Sequence, residues 1–350
     1  MPSPHLHVNS RRIGDGDPAY VIAEAGANHN RDLGIARKLI DVAVEAGADA
    51  VKFQTYSGKS LYSTKTPKFE YLGELGAQPA HELLESISLP RDWQPILADH
   101  CRDAGIDFLS TPFDNAAVDE LDALDVPAFK VASFEIVDPQ LISYIAATGR
   151  PIIFSTGMAT IAEIDEALTA ARDAGGSSFA LLQCASLYPA PPAIINLRAM
   201  DTMRAAFDLP VGLSDHTLGT HVSVAAVARG ASIIEKHFTL DRSSNGPDHP
   251  FAIEPDELSR LVREIRDVEA ALGNGRKEGP SGPEAEEMYT KARRSLIAAS
   301  PIPAGTVISA EMLTVKRPGT GIRPKFFDAV VGRTAAVDIE PDDILTWDML

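Results

Sequence analysis

The chemistry-bearing residues of this chain sit at the ends of short apolar runs, and their spacing is that of strands. Glu235 and His237 are two apart, as are Lys52 and Gln54. On a strand, residues two apart share a face. Lys52 lies in DAVKFQT (49–55) and Lys130 in AFKVAS (128–133). A lysine inside such a run is costly to bury unless its charge is met. A bound dianion would meet both charges at once, with the hydroxyls of Thr111, Ser133, Ser155 and Ser214 completing a phosphate cradle. The alternative is internal pairing of each lysine with a carboxylate such as Glu24 or Glu135. His216 and His237 close two successive apolar runs and can face one ion. Two imidazoles suit Mn²⁺ when water and substrate oxygens fill the remaining positions. His29, His221 and His249 are placed less well for this. The chain has neither HExxH nor CxxC, so a closed structural zinc site is not expected.

Eight runs must position these groups: YVIAEAG (20–26), DAVKFQT (49–55), IDFLSTP (106–112), AFKVAS (128–133), PIIFST (151–156), FALLQC (179–184), PVGLSDH (210–216) and SIIEKHF (232–238). Each is short, bounded and apolar throughout, as a parallel strand buried on both faces must be. Between them lie amphipathic stretches such as LGIARKLIDVAVEAG, IAEIDEALTAARDAGG and PDELSRLVREIRDVEAALG, with apolar residues three or four apart and Gly near the end. Eight strand–helix pairs in about 250 residues predict a (β/α)8 TIM barrel over 1–271 rather than an open sheet. In that fold the reacting groups sit at the C-terminal strand ends, and all eight runs end in polar residues: Glu24, Asn28 and His29; Lys52 and Gln54; Ser110 and Thr111; Lys130, Ser133 and Glu135; Ser155 and Thr156; Gln183, Ser186 and Tyr188; Ser214, Asp215 and His216; Glu235 and His237. The long piece 57–90 reads as an active-site loop. Residues 272–290, rich in Gly, Pro and Glu, read as a linker. Residues 291–350 alternate short β segments with PxG and PDD turns and read as a small β-rich module.

Composition narrows the class. The chain has 350 residues, 45% of them hydrophobic, enough for a large core. Its net charge of -17 argues against nucleic acid as a partner. Cys101 and Cys184 stand far apart, the usage of a reducing compartment, so a cytoplasmic location is expected. The first residues lack the apolar core of a signal peptide, and no apolar run is long enough to span a bilayer, so no membrane partner is expected.

The motifs IAEAGANHN, ADAVKFQT, FLSTPFD, FKVASFE, IIFSTGMAT, LLQCASLYP, VGLSDHTLG, IIEKHFTLDR and GPDH, followed in the small module by VKRPGTGI, resemble those of the sialic acid synthase (N-acetylneuraminate synthase) family with its C-terminal antifreeze-like SAF domain. The likeness runs over about residues 20–350. It implies a transferase that condenses phosphoenolpyruvate with the aldehyde of an N-acetylated amino sugar, N-acetylmannosamine or a relative, to give a nine-carbon 2-keto acid and phosphate. It implies that His216 and His237 hold a divalent metal, Mn²⁺ foremost, with Mg²⁺ or Co²⁺ possible. Lys52, Thr111, Lys130, Ser133, Ser155 and Ser214 match positions that hold phosphoenolpyruvate, and Glu24 matches a proton-handling position. Gln54, Glu135, Tyr188 and Asp248 match sugar-facing positions. Arg317, in VKRPG, matches an arginine that the SAF domain of a second subunit inserts over the barrel mouth, so a domain-swapped homodimer is expected.

Two spellings depart from the pattern. Ser186 stands where some family members carry Asn. KVASFE stands where many neuraminate and legionaminate synthases read SGE, and its SFE form is similar to pseudaminate synthases. A pseudaminate or legionaminate synthase acting on a diacetamido-trideoxy hexose is therefore the near alternative. Two further readings compete: a synthase of seven- or eight-carbon keto acids, which the SAF module argues against, and a carbohydrate-binding protein without catalysis, which the full set of strand-end residues argues against.

Overall fold

In the computed structural model, which describes residues 5–67 and 78–350, the chain divides into two compact units, Met1–Gly273 and Asn274–Leu350. The first unit opens with an antiparallel hairpin, β1 (His5–Val8) and β2 (Arg11–Gly14). Eight parallel strands follow: β3 (Tyr20–Glu24), β4 (Ala50–Thr55), β5 (Asp107–Pro112), β6 (Phe129–Val131), β7 (Ile152–Ser155), β8 (Phe179–Cys184), β9 (Val211–Asp215) and β10 (Ile233–His237). Their hydrogen-bonded order is β5-β4-β3-β10-β9-β8-β7-β6, and β5 lies against β6 to close the barrel. Each strand falls inside one of the eight predicted runs.

Helices cover the outside: α1 (Leu33–Glu45), the short α2 (Gly58–Leu61), α3 (Ala80–Ile87), α4 (Gln94–Ala104), α5 (Asn115–Ala123), α6 (Pro139–Ala146), α7 (Ile161–Asp173), α8 (Ala199–Phe207), α9 (His221–Ala228) and α10 (Pro255–Leu272). Local sequence sets their ends. Asp32 caps α1 by accepting from the Ile35 amide, Thr160 and Glu163 form a capping box on α7, and Gly105 ends α4 at φ +75°.

Strand alternation divides the apolar residues into two layers. Val51, Phe53, Phe129, Phe154, Leu181, Val211, Leu213 and Ile234 point outward to the helices. Tyr20, Ile22, Leu109, Ile153, Leu182 and Ile233 point into the barrel, where they meet Leu6, Val8 and Ile13 of the hairpin. The hairpin thus plugs the N-terminal end and leaves the C-terminal end to the site. The sequence carries no expectation of this hairpin. The piece 57–90 is also not a plain loop. Its described part carries α2 and α3, and residues 68–77 lie outside the described residues.

The second unit pairs β11 (Ser295–Ala298) with β12 (Leu313–Lys316) in antiparallel register around a core of Leu296, Ile302, Ile308, Leu313, Ile339 and Leu345. The predicted linker is irregular only in part. Residues 284–291 are helical, and the Thr290 carbonyl accepts from the Gly319 amide at 2.8 Å.

Candidate active site

One pocket opens at the C-terminal ends of the strands. Its wall includes Glu24, Lys52, Gln54, Thr111, Lys130, Ser133, Glu135, Ser155, Tyr188, Ser214, His216, His237 and Asp248. Thirteen of the expected site residues therefore share one cavity. Ser186 does not line it. Its Oγ lies close to Gly157, where an added Cβ would approach it to 2.3 Å. Arg317 belongs to the second unit, where it is exposed.

The centre of the pocket is a buried charge cluster organised by Glu235, a residue the candidate set omitted. Lys52 Nζ stands 2.9 Å from Glu24 Oε2 and 3.7 Å from Glu235 Oε2. Lys130 Nζ stands 3.8 Å from Glu235 Oε1 and donates to the Val131 carbonyl at 3.0 Å. Internal pairing thus occurs, but Lys130 meets Glu235 rather than Glu135. The one signal for Glu235 was its two-residue spacing from His237. Ser214 Oγ donates to Glu235 Oε1 at 3.0 Å, so this hydroxyl serves the carboxylate. Thr111 Oγ1 accepts from Lys52 Nζ at 3.1 Å and keeps its own hydrogen for another acceptor. Ser155 Oγ is buried without a hydrogen-bond partner. Gln54 Nε2 donates to Glu24 Oε1 at 2.8 Å and orients that carboxyl.

Burial and these neighbours move the titrations apart. Desolvation raises Glu24 to about 7, against the pull of Lys52. Burial alone would also raise Glu235, but Lys130, Lys52 and Ser214 outweigh it and hold Glu235 below its ordinary value. Lys52, though desolvated, is raised by Glu235 and Glu24. Lys130 is lowered by burial, which Glu235 only partly offsets. Lys130 thus has less internal compensation than Lys52.

On the other side of the pocket His216 and His237 face each other, ring centroids 5.5 Å apart, with Tyr188 over His216 at 4.3 Å. His216 Nδ1 lies 2.9 Å from the Ala185 carbonyl, an arrangement that leaves Nε2 for the pocket. His237 Nδ1 is buried without a hydrogen-bond partner and 3.9 Å from Asp248 Oδ2. Burial holds the His237 pKa well below its ordinary value, so the ring is neutral. Two imidazoles, one with an orphaned nitrogen, fit a divalent ion that takes its other ligands from water and substrate. Among the described residues no cluster of three or more His, Cys, Asp or Glu is arranged to hold a metal ion. Gly26 makes room here: its φ is +49°, and a Cβ would come within 2.5 Å of Asp248 Oδ2.

Several strand-end residues face away from the pocket. Ser110 bonds Thr55, Thr156 donates to the Leu182 carbonyl, and Gln183 donates to the Ile195 carbonyl. His29 packs on Phe53 and Trp93, and His249 bonds Thr239. The piece 57–90 supplies Leu61, Tyr62, Leu83, Leu84 and Ile87 to the pocket wall, which Phe113, Phe134 and Phe251 extend.

Fold and mouth together define a barrel enzyme with its reaction centre at the C-terminal strand ends. The chain belongs to the NeuB family and is a synthase of that family: the NeuB family model matches residues 39–277, and the SAF domain model matches residues 293–350. It is 41% identical to the N,N'-diacetyllegionaminic acid synthase of Campylobacter jejuni over 93% of this chain and 98% of that protein. It is 34% identical to the pseudaminic acid synthase of Helicobacter pylori over 95% of this chain and 97% of that protein. Among solved structures, the N-acetylneuraminic acid synthetase of Leptospira borgpetersenii, in complex with citrate, superposes with a TM-score of 0.72 at 35% identity, covering 82% of this chain and 95% of that one.

The pocket makes a prediction about pH. Burial raises the Glu135 carboxyl from 4.5 to about 7, with Lys130 opposing, and one of its oxygens has no hydrogen-bond partner. The folded state therefore holds a proton that the unfolded state releases, and this contribution to stability is lost as pH rises from about 4.5 through about 7. In ligand-free protein the melting temperature of wild type, relative to Glu135→Gln, should fall across that window. A difference that stays constant with pH would show that Glu135 titrates normally.

Proposed function

We propose that this chain condenses phosphoenolpyruvate with the aldehyde of an open-chain N-acetylated amino sugar, forming a nine-carbon 2-keto acid and inorganic phosphate. The observation that carries the reading is Lys130, fully buried in the pocket wall, with no carboxylate closer than 3.8 Å among the described residues and the partnerless hydroxyl of Ser155 in the same wall. Such a site gains from a dianion. Lys52, Thr111, Lys130, Ser133 and Ser155 bind the phosphate and carboxylate of phosphoenolpyruvate, and Ser214 acts through Glu235. Glu24, whose pKa lies near 7, exchanges a proton with the reacting atoms, held by Lys52 and Gln54. Gln54, Glu135, Tyr188 and Asp248 orient the sugar, and Ser186 supports them from beside Gly157. A divalent ion on His216 and His237, Mn²⁺ in the first place and Mg²⁺ or Co²⁺ otherwise, supplies Lewis-acid polarisation when bound.

For the sugar, the apolar wall of Leu61, Leu83, Leu84, Ile87 and Phe113 favours a second reading over N-acetylmannosamine. A diacetamido-trideoxy hexose, with a methyl in place of a hydroxymethyl and an additional acetyl group, buries more apolar surface there. The higher identity to a legionaminic acid synthase supports the same choice. Phosphate release should require phosphoenolpyruvate and an N-acetylated amino sugar together, with greater kcat/KM for the diacetamido sugar. Greater kcat/KM for N-acetylmannosamine would reverse the choice of sugar. No release with any sugar of a panel, with Mn²⁺ present, would contradict the reaction.

We further propose that the enzyme works as a homodimer in which the SAF domain of one copy covers the barrel mouth of the other. Phe134, Met158, Leu187 and Leu218, one on each of the four loops that follow β6 to β9, are exposed and form an apolar rim that a covering module would bury. The residues 273–283, between α10 and the helical residues 284–291, reach up to about 40 Å at full extension. Lys316 is engaged by Asp342 and Arg323 donates to Tyr289, which leaves exposed Arg317 to serve a neighbour. Mixing Arg317→Ala with His216→Ala protein should restore part of the activity, since a heterodimer holds one complete site. Demonstrated subunit exchange without recovery, with Arg317→Ala alone impaired, would place the module's action within its own chain.

A further inference from the structure

Two buried charges lie on the far side of the wall that carries the histidines. Outward positions on β9 and β10 are apolar for most of their length: Val211 and Leu213 on one, Ile234 on the other. The next outward residues break that pattern. Lys236 and Asp215 are both 1% exposed, directly opposite each other in the parallel register, and Lys236 Nζ donates to Asp215 Oδ2 at 3.0 Å. Two more groups hold the carboxylate: the Thr217 amide donates to Oδ1 at 2.9 Å, and the Ser223 hydroxyl, from α9, donates to Oδ2 at 2.6 Å. The Lys236 ammonium also donates to the Thr217 carbonyl.

The connectivity is what matters. Lys236 is bound to residues 215 and 217, which flank His216 on both sides, and its own chain neighbour is His237. Successive rungs of the β9–β10 wall read Ser214–Glu235 facing the pocket, Asp215–Lys236 facing the helices, and His216–His237 facing the pocket again. The last rung lies beyond the β-ladder of this pair, whose register ends at Lys236 and Asp215. The His216 carbonyl accepts from the Ala190 amide at 2.9 Å, and its Nδ1 lies 2.9 Å from the Ala185 carbonyl; these hold it to the loop after β8, and neither ties it to β10. A buried ion pair is a poor way to add stability, because desolvation consumes most of the Coulomb attraction and an apolar pair of similar volume does as well or better. What an ion pair adds is a fixed geometry.

We propose that Lys236 and Asp215 form a clamp on the outer face of the barrel wall that sets the separation of the His216 and His237 imidazoles, both acting as positioning residues. The proposal rests on the reading of those two histidines as the metal-holding pair. Outer-shell groups that orient ligands typically change metal affinity or activity by about 10- to 100-fold. The test replaces the pair without leaving a lone buried charge, as Asp215→Asn with Lys236→Met. Mn²⁺ alone is titrated into metal-stripped wild type and variant, and the imidazole resonances of the metal-free proteins are compared by NMR. The clamp predicts a folded variant whose Mn²⁺ dissociation constant rises by about 10- to 100-fold, with shifted His216 and His237 ring signals and unmoved signals from the remote His5 and His100. A folded variant with wild-type Mn²⁺ affinity and unmoved ring signals would reduce the pair to a structural contact. If wild type itself binds no Mn²⁺, the metal reading fails and the ring signals alone decide the clamp. Should the double variant not fold, Asp215→Asn with Lys236→Gln, which also leaves no lone buried charge, carries the same two measurements.

Discussion

Two ammonium groups inside a parallel barrel are the constraint from which the rest of the site follows. Lys52 and Lys130 are 3% and 2% exposed, and neither can reach bulk water. Glu235 lies between them and is shared, at 3.7 Å from one and 3.8 Å from the other. Glu24 offers Lys52 a second carboxyl, but desolvation keeps that carboxyl partly protonated near neutral pH. Lys130 is left with only the shared Glu235 as an ion-pair partner among the described residues. A fold pays for such a thinly paired charge only where a ligand completes it. The hydroxyls of Thr111 and Ser155 add hydrogen-bond capacity on the same wall.

The period of two in the strands builds this site and insulates it. Inward positions near the N-terminal end are filled by the plug of Leu6, Val8 and Ile13, so the cavity begins only where polar residues start. Outward positions near the same C-terminal ends hold Ser110, Thr156, Gln183 and Asp215, which bind other strands, loops and helices. The polar residues at the strand ends are thus of two kinds. One kind faces the pocket, and the other fixes the backbone that aims the first. The SAF domain is a second compact unit with its own core.

Much of this was legible in the sequence because parallel strands buried on both faces read as continuous apolar runs, and each of the eight runs contains its strand. The inward set followed from two-residue spacing on β4 and β10. What escaped has physical reasons. The β1–β2 hairpin is two four-residue strands across a turn at Asn9 and Ser10, too short for periodicity to register, although the alternation of Leu6 and Val8 against Ile13 was its one signal. Glu235 was seen to share a face with His237 but not to bridge two lysines from other strands, because pairing across a barrel is a matter of closure and not of local spacing. Asp215 looked like a site residue beside His216 and faces the opposite way. Of the helices within 57–90, α2 lies inside a stretch rich in Ser, Thr and Lys, whose composition reads as loop.

The central claim is that the two buried lysines exist to hold the anionic groups of phosphoenolpyruvate. Calorimetric titration of phosphoenolpyruvate into the sugar-free protein tests it most directly, with wild type compared to Lys52→Met and Lys130→Met. Loss of one charge-assisted contact costs about 1.5–3 kcal/mol, so each folded variant should bind roughly 10- to 150-fold more weakly. Folded variants that bind phosphoenolpyruvate as tightly as wild type would contradict the account.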